Sequence, residues 1–178
     1  MIKLIKLSGF SYIFEELLIN NKRRLTIVSH GSSVNKGISI DYDRYYTPED
    51  LSIYIRFNLY EQRITDLNDF YSIRLASCHS ADNGMALSLS TYLPDIYVVG
   101  YNGILRMKCG SDQTYNSFLK HQSDIFIGSE KFITIEESES EAFKIIEKNL
   151  NRIFPTLTDK DEITYFNGKK ALYPMLYS

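Results

Sequence analysis

The stretch SIRLASCHSADNGMALSLSTYLPDIYVVG, Ser72 to Gly100, carries the pattern on which the fold turns. Its first part, SIRLAS, is an apolar run with strand character. NGMALSLSTYL follows, with Met85, Leu89 and Leu93 spaced along one helical face. DIYVVGYNG is a strand pattern again and ends in a glycine turn. A helix of about three turns between two strands crosses over and makes those strands parallel.

The same alternation extends upstream. RLTIV, Arg24 to Val28, is a β-branched run closed by Gly31. TPEDLSIYIRFNLYEQ, from Thr47, opens as a helix should. Thr47 can cap, Pro48 suits the first turn, and Glu49 and Asp50 suit the positive end of the helix dipole. The order strand, helix, strand, helix, strand predicts an α/β domain with a parallel sheet and right-handed crossovers. RLTIV, SIRLA and IYVVG are nearly continuous apolar runs, as expected of strands covered on both faces.

Other segments are assigned more locally. FSYIFEELLINN, Phe10 to Asn21, has Ile13, Leu17 and Leu18 at helical spacing, and a short helix is expected there. SVNKGISIDYDRYY is expected to be loop with a short hairpin around Asn35–Gly37. ILRMKCG, DIFIG and KFITIEE are short strand candidates. A helix capped by Ser138 and Glu141 buries Phe143, Ile146, Leu150 and Phe154. EITYFNGKKALYP forms a hairpin about Asn167-Gly168.

With 178 residues, 44% hydrophobic and 24% charged, the chain suits one globular domain over 1–178. A net charge of -2 argues against nucleic acid as the main partner. No apolar run reaches the length of a membrane span. MIKLIKLSGF is a poor signal peptide, so a cytoplasmic protein, or one secreted by a route that needs no signal peptide, is expected. Two cysteines, Cys78 and Cys109, make no disulfide framework. No glycine-rich nucleotide loop, H-E-x-x-H or G-x-S-x-G is present, and no cofactor is expected.

In open α/β sheets ligands bind at the carboxyl ends of the strands. His30, in RLTIVSHGSS, and Cys78, in SIRLASCHSADNG, both stand at such ends. Adjacent strands lie about 4.8 Å apart, so the two can meet if their strands are neighbours. Cys78 then has three readings: a small buried hydrophobe, half of a metal pair with His79, or a nucleophile with His30 as its base. The metal pair is the weakest, since adjacent residues on a strand point apart and no second ligand cluster appears; no metal is expected. As a nucleophile, Cys78 has an oxyanion site available in the N–H groups of Gly31 and Cys78 itself. The helix that starts after Gly84 would favour its thiolate. His79 more plausibly shapes the pocket, Cys109 is taken as structural, and Asp41 and Asp43 as a solvated loop.

These residues resemble a family. A hydrophobic strand ending in His-Gly, then a second ending in a small residue and Cys, is similar to the caspase-like (clan CD) cysteine peptidases. The separation, 78 − 30 = 48, is close to the roughly 50 residues usual in caspases. LASCHS stands where caspases have Q-A-C-x-G. RLASCHSADNGMALSLSTYLPDIYVVGYNG and YYTPEDLSIYI look more like the self-processing cysteine protease domain of RTX and clostridial toxins, with the CHAT-type branch second. The resemblance covers about Leu25 to Leu105. It implies a three-layer caspase-like fold, with a mostly parallel central sheet and helices on both faces. It implies a cysteine endopeptidase acting on a protein or peptide, with His30 as base, Cys78 as nucleophile, Gly31 and Cys78 as oxyanion donors, and Ser29 and His79 lining the substrate pocket; a bacterial effector is one such setting. The toxin domains have a longer region before the His-Gly strand, which supplies an acid that orients the histidine and part of a basic inositol hexakisphosphate site. Here Glu15 and Glu16 are the acids that precede His30, and Asn21–Arg24 with Lys169 and Lys170 form a thin basic set. Activation by an inositol phosphate is therefore doubtful. Two alternatives stay open: a catalytically inactive binding or scaffold module of the same fold, and another cysteine-dependent hydrolase or transferase.

Overall fold

A computed structural model describes residues 2–8, 11–18, 21–41, 44–61, 66–105 and 162–172. In chain order its elements are β1 (Ile2–Ser8), β2 (Ser11–Leu17), β3 (Arg23–Val28), β4 (His30–Gly31), β5 (Ile38–Asp41), β6 (Arg44–Tyr46), α1 (Pro48–Glu61), β7 (Phe70–Ala76), α2 (Met85–Tyr92), β8 (Tyr97–Tyr101), β9 (Glu162–Phe166) and β10 (Lys169–Ala171). Seven strands form one sheet in the order β1-β2-β3-β7-β8-β9-β10, and β4-β5-β6 form a second, small sheet. The chain is an α/β protein.

The expected parallel core is present, since β3 pairs parallel with β7 and β7 with β8. The sheet as a whole is mixed rather than mostly parallel. β1 and β2 pair antiparallel, β2 joins β3 antiparallel, and β9 and β10 continue antiparallel from β8. For β1-β2, β2-β3 and β9-β10 the reason is the short connection: hairpin neighbours reverse direction, and only a long crossover lets the next strand run parallel. Ser8 stands opposite Ser11, and Phe166 opposite Lys169 across Asn167-Gly168. Both residues of that second turn have positive φ, 49° and 74°, as an Asn-Gly hairpin turn requires.

The helix expected over FSYIFEELLINN is instead strand β2. The spacing of Ile13, Leu17 and Leu18 fits a helix, but β1 and β3 pair with this segment on its two sides. Tyr12, Ile13 and Phe14, aromatic and β-branched, are good strand formers, and tertiary pairing outweighs a weak local periodicity. Ile13 is buried opposite Ile27.

The two faces of the parallel core differ. Leu25, Ile27, Ile73, Leu75 and Val98 share one face and pack into a single core with Leu51, Ile55 and Leu59 of α1 and Met85, Ala86 and Leu89 of α2. Both described helices therefore lie on the same face, as two right-handed crossovers advancing in one direction require. The opposite face carries Arg24, Thr26, Ser72, Arg74 and Tyr101, all buried as well. Arg74 Nε donates to Thr26 Oγ1 at 3.3 Å, and the Tyr101 hydroxyl donates to Glu162 Oε2 at 3.3 Å. Burial pushes the Tyr101 phenol well above its ordinary pKa. The strands are covered on both faces, as expected, yet one face is polar. The helix expected from Ser138, the strand candidates DIFIG and KFITIEE, all of ILRMKCG after Leu105, Asp43 and Cys109 lie outside the described residues.

α1 starts where its sequence says it should, with the Asp50 N–H donating to Thr47 Oγ1 at 3.2 Å. α2 lies flush on β8. A Cβ at Gly100 would come within 2.7 Å of Ala86 Cβ and 3.0 Å of Ala81 N, so glycine lets the helix start sit on the strand.

The packing gives a direct test. Leu75→Ala, at a fully buried position in the core, should lower unfolding free energy by about 2–5 kcal/mol in urea titration. Ile53→Ala on α1, whose side chain is 60% exposed, should change it by less than about 0.5 kcal/mol.

Candidate active site

The parallel register brings the two strand ends together. Val28 is the partner of Ala76, an offset of 76 − 28 = 48 residues. The offset persists one residue further, where Ser29 Oγ and Ser77 Oγ are 2.5 Å apart and the Ser29 N–H reaches the Ala76 carbonyl at 3.4 Å. His30 and Cys78, with the same separation of 78 − 30 = 48, are the next residues on each side. One residue beyond His30 the register closes up by one, and the Gly31 backbone lies against Cys78. A Cβ placed on Gly31 would lie 1.9 Å from the Cys78 carbonyl oxygen and 3.2 Å from its nitrogen, so only glycine permits this approach.

His30 and Gly31 are strand β4, the first strand of the small sheet. His30 pairs with Ser39 and Gly31 with Ile38. The segment expected to be loop, SVNKGISIDYDRYY, thus contains two short strands, β5 and β6, and the hairpin expected around Asn35–Gly37 is the β4–β5 connection. Ile38 and Tyr46 anchor this sheet to the core, where both are buried. His30 is exposed and Cys78 is half-buried. Cys78 forms no disulfide, and its thiol donates to the Leu105 carbonyl at 3.8 Å.

The turn from Ser77 to Gly84 is built by side chains that bond backbone. Ser80 Oγ, fully buried, donates to the Leu75 carbonyl at 3.0 Å and accepts from the Tyr101 N–H at 2.9 Å, stitching the end of β7 to the end of β8. The His79 N–H donates to the Gly103 carbonyl at 2.7 Å, and the Ala81 N–H to the Tyr101 carbonyl at 2.9 Å. Asn83 Nδ2 donates to the carbonyls of Ser32 at 2.8 Å and Asn35 at 3.2 Å, so it ties the Cys78 turn to the loop after His30. Among the described residues, the Cys78 N–H has no backbone partner in this turn, and it remains a candidate oxyanion donor beside Gly31.

His79 has a partner of its own. Its residue sits in the left-handed region at φ 56°, and its Nδ1 donates to Asp82 Oδ2 at 2.9 Å. Burial pulls the Asp82 carboxyl upward, but the hydrogen bonds from the His79 ring and the Gly103 N–H outweigh it and hold Asp82 below its usual range. His79 is thus engaged by the turn that carries Cys78. Ser29, assigned to the pocket wall, spends its hydroxyl on Ser77. The start of α2 is also committed. The Met85 N–H donates to Asn83 Oδ1 at 2.8 Å and the Ala86 N–H to the Ser80 carbonyl at 2.8 Å, so these two N–H groups are not offered to the Cys78 sulfur. Glu15 does not orient His30: it is ion-paired with Arg23 at the amino end of β3, away from the strand end that carries His30. Among the described residues no group of three or more His, Cys, Asp or Glu side chains can hold a metal ion.

Ser80, Asp82 and Asn83 were not singled out from the sequence. SADNG announces a polar turn, but nothing in it tells which carbonyls, some 48 to 51 residues away, its Asn will bond.

Two measurements follow. Gly31→Ala forces a methyl into the Cys78 carbonyl and should destabilise the protein by about 1–3 kcal/mol in urea titration. For Asp82, a carboxyl lowered in the folded state stabilises above its unfolded pKa and loses that contribution as pH falls through the folded value. The melting temperature of the native protein should therefore exceed that of Asp82→Asn by at most a few degrees at about pH 6, and the gap should close by about pH 2.

The chain matches no protein-family model, no curated protein and no solved structure.

Proposed function

We propose that the protein is a cysteine peptidase of caspase-like design, in which His30 is the base and Cys78 the nucleophile. The observation that carries this reading is the 48-residue offset that holds from the Arg24–Ser72 pair through Val28–Ala76 to the Ser29–Ser77 hydrogen bond, together with the contact of Gly31 with the Cys78 carbonyl. A histidine and a cysteine at matched positions on the carboxyl edge of neighbouring parallel strands are where such a dyad would stand. The parallel core β3-β7-β8, with α1 and α2 packed on one face, supplies the central sheet and one helical layer of such a fold, and no helix on the second face is among the described residues.

In the reaction, His30 takes the Cys78 thiol proton and the sulfur attacks the scissile carbonyl carbon. The developing oxyanion would face the N–H groups of Gly31 and Cys78. The tetrahedral species expels the amine, which receives the proton from His30, and leaves a thioester. His30 then deprotonates a water that attacks the thioester, and the returning proton restores the thiol. The exposed position of His30 leaves room for an extended peptide beside it.

A second reading has an observation in its favour. The Cys78 thiol is engaged by the Leu105 carbonyl and the first N–H groups of α2 are spoken for, as suits a binding module with an unactivated thiol.

Alkylation separates the two. An isolated thiol is only a few per cent thiolate at neutral pH. With iodoacetamide at about pH 7, the native protein should label at Cys78 at least about tenfold faster than its His30→Ala variant, and faster than at Cys109, while His79→Ala keeps most of the rate. Equal, slow labelling of native protein and His30→Ala would rule out the dyad. Cleavage of a peptide library, lost in Cys78→Ala, then distinguishes a peptidase from another thiol hydrolase or transferase.

A further inference from the structure

The geometry points to Asn83 as a positioning residue that holds the His30 loop in register with Cys78, an inference that rests on the dyad proposed above. The carboxamide uses three of its hydrogen-bonding positions at once. Its Nδ2 donates to the Ser32 carbonyl at 2.8 Å and the Asn35 carbonyl at 3.2 Å, while its Oδ1 accepts the Met85 N–H at 2.8 Å. One side chain thereby joins three segments: the loop after His30, the turn after Cys78, and the start of α2.

The loop between β4 and β5 otherwise bonds to itself. Ser32 Oγ accepts from the Val34 and Asn35 N–H groups at 3.1 and 3.3 Å. Those local bonds shape the loop and do not fix where it sits. The polar bonds that cross from this loop to the Cys78 turn, among the described residues, are the two from Asn83. The Gly31–Cys78 contact is a steric stop that sets how near the two segments come, and a stop needs something that draws them together. A donor pair reaching two carbonyls of the loop supplies that. Aspartate at this position would keep the acceptor for the Met85 N–H but would turn a carboxylate oxygen toward two carbonyls, replacing attraction with repulsion. Asn83 is not a catalytic residue: it acts on His30 through the backbone of Ser32 and Asn35.

The test uses the full chain as native protein, His30→Ala and Asn83→Asp, each read by iodoacetamide alkylation of Cys78 across pH and by amide hydrogen exchange. Asn83→Asp should leave the melting temperature within a few degrees, because the helix-start acceptor is retained. Exchange in the Ser32–Gly37 loop should quicken by about tenfold or more. Alkylation near pH 7 should slow by about tenfold, and its pH profile should approach that of His30→Ala. Asn83→Ser, whose hydroxyl can also accept, replaces the variant if Asn83→Asp does not fold. Unchanged loop exchange overturns the clamp. Faster loop exchange with unchanged alkylation, while His30→Ala slows it, overturns the positioning role and leaves the dyad standing. If His30→Ala itself has no effect, the dyad falls and the positioning role falls with it, and the exchange rates alone decide whether Asn83 holds the loop.

Discussion

The parallel pairing of β3 with β7 is the constraint from which the rest follows. Leu25 and Ile27 on one strand, and Ile73 and Leu75 on the other, are wholly excluded from water on the same face. A slip of one residue in either strand would turn those side chains onto the face that carries Arg24, Thr26, Ser72 and Arg74. It would take two apolar side chains of that strand off the helices and bring arginine, threonine or serine against them instead. Register is therefore set by burial, which brings Ser29 beside Ser77 and carries the two chemistry-bearing residues after them to the same edge.

Beyond that edge the determinants change character. Burial of apolar side chains places the strands, but the path from Ser77 to Gly84 is fixed by polar side chains that bond distant backbone. Ser80 spans β7 and β8 with one hydroxyl, and Asn83 spans the two loops with one carboxamide. An unpaired buried N–H or carbonyl costs about 1–3 kcal/mol, so each such bond also relieves a backbone group that the turn would otherwise leave without a partner. The site is thus held by a few short polar links on a frame that hydrophobic register has already aligned.

This division explains what the sequence discloses. Strands β3, β7 and β8, helices α1 and α2, and the Asn167-Gly168 hairpin are legible because each has a local cause: an apolar run, a 3.6-residue spacing, a capping Thr47, a turn dipeptide. The placing of His30 and Cys78 at the ends of neighbouring strands is legible only by way of the parallel topology. β2 is not, because its strand state comes from being paired on both sides, which no window of twelve residues contains. The bond between Asn83 and the Ser32 carbonyl, and the pairing of His79 with Asp82 rather than with anything across the cleft, depend on backbone paths with no periodic signature. The polar face of the parallel core is in the sequence as alternate Arg, Thr and Ser residues, but the eye passes over them when each run is taken as simply apolar.

The strand order has a consequence for how molecules behave beside one another. Among the described residues, β1 and β10 each have a partner on one side only. An open strand edge is a template for a strand from another molecule. β10 is three residues long and shows Lys169 and Lys170 to solvent, and the β1 sequence IKLIKLS carries Lys3 and Lys6. Among the described residues, resistance to growth into a continuous sheet through the β10 margin would therefore rest on Lys169 and Lys170.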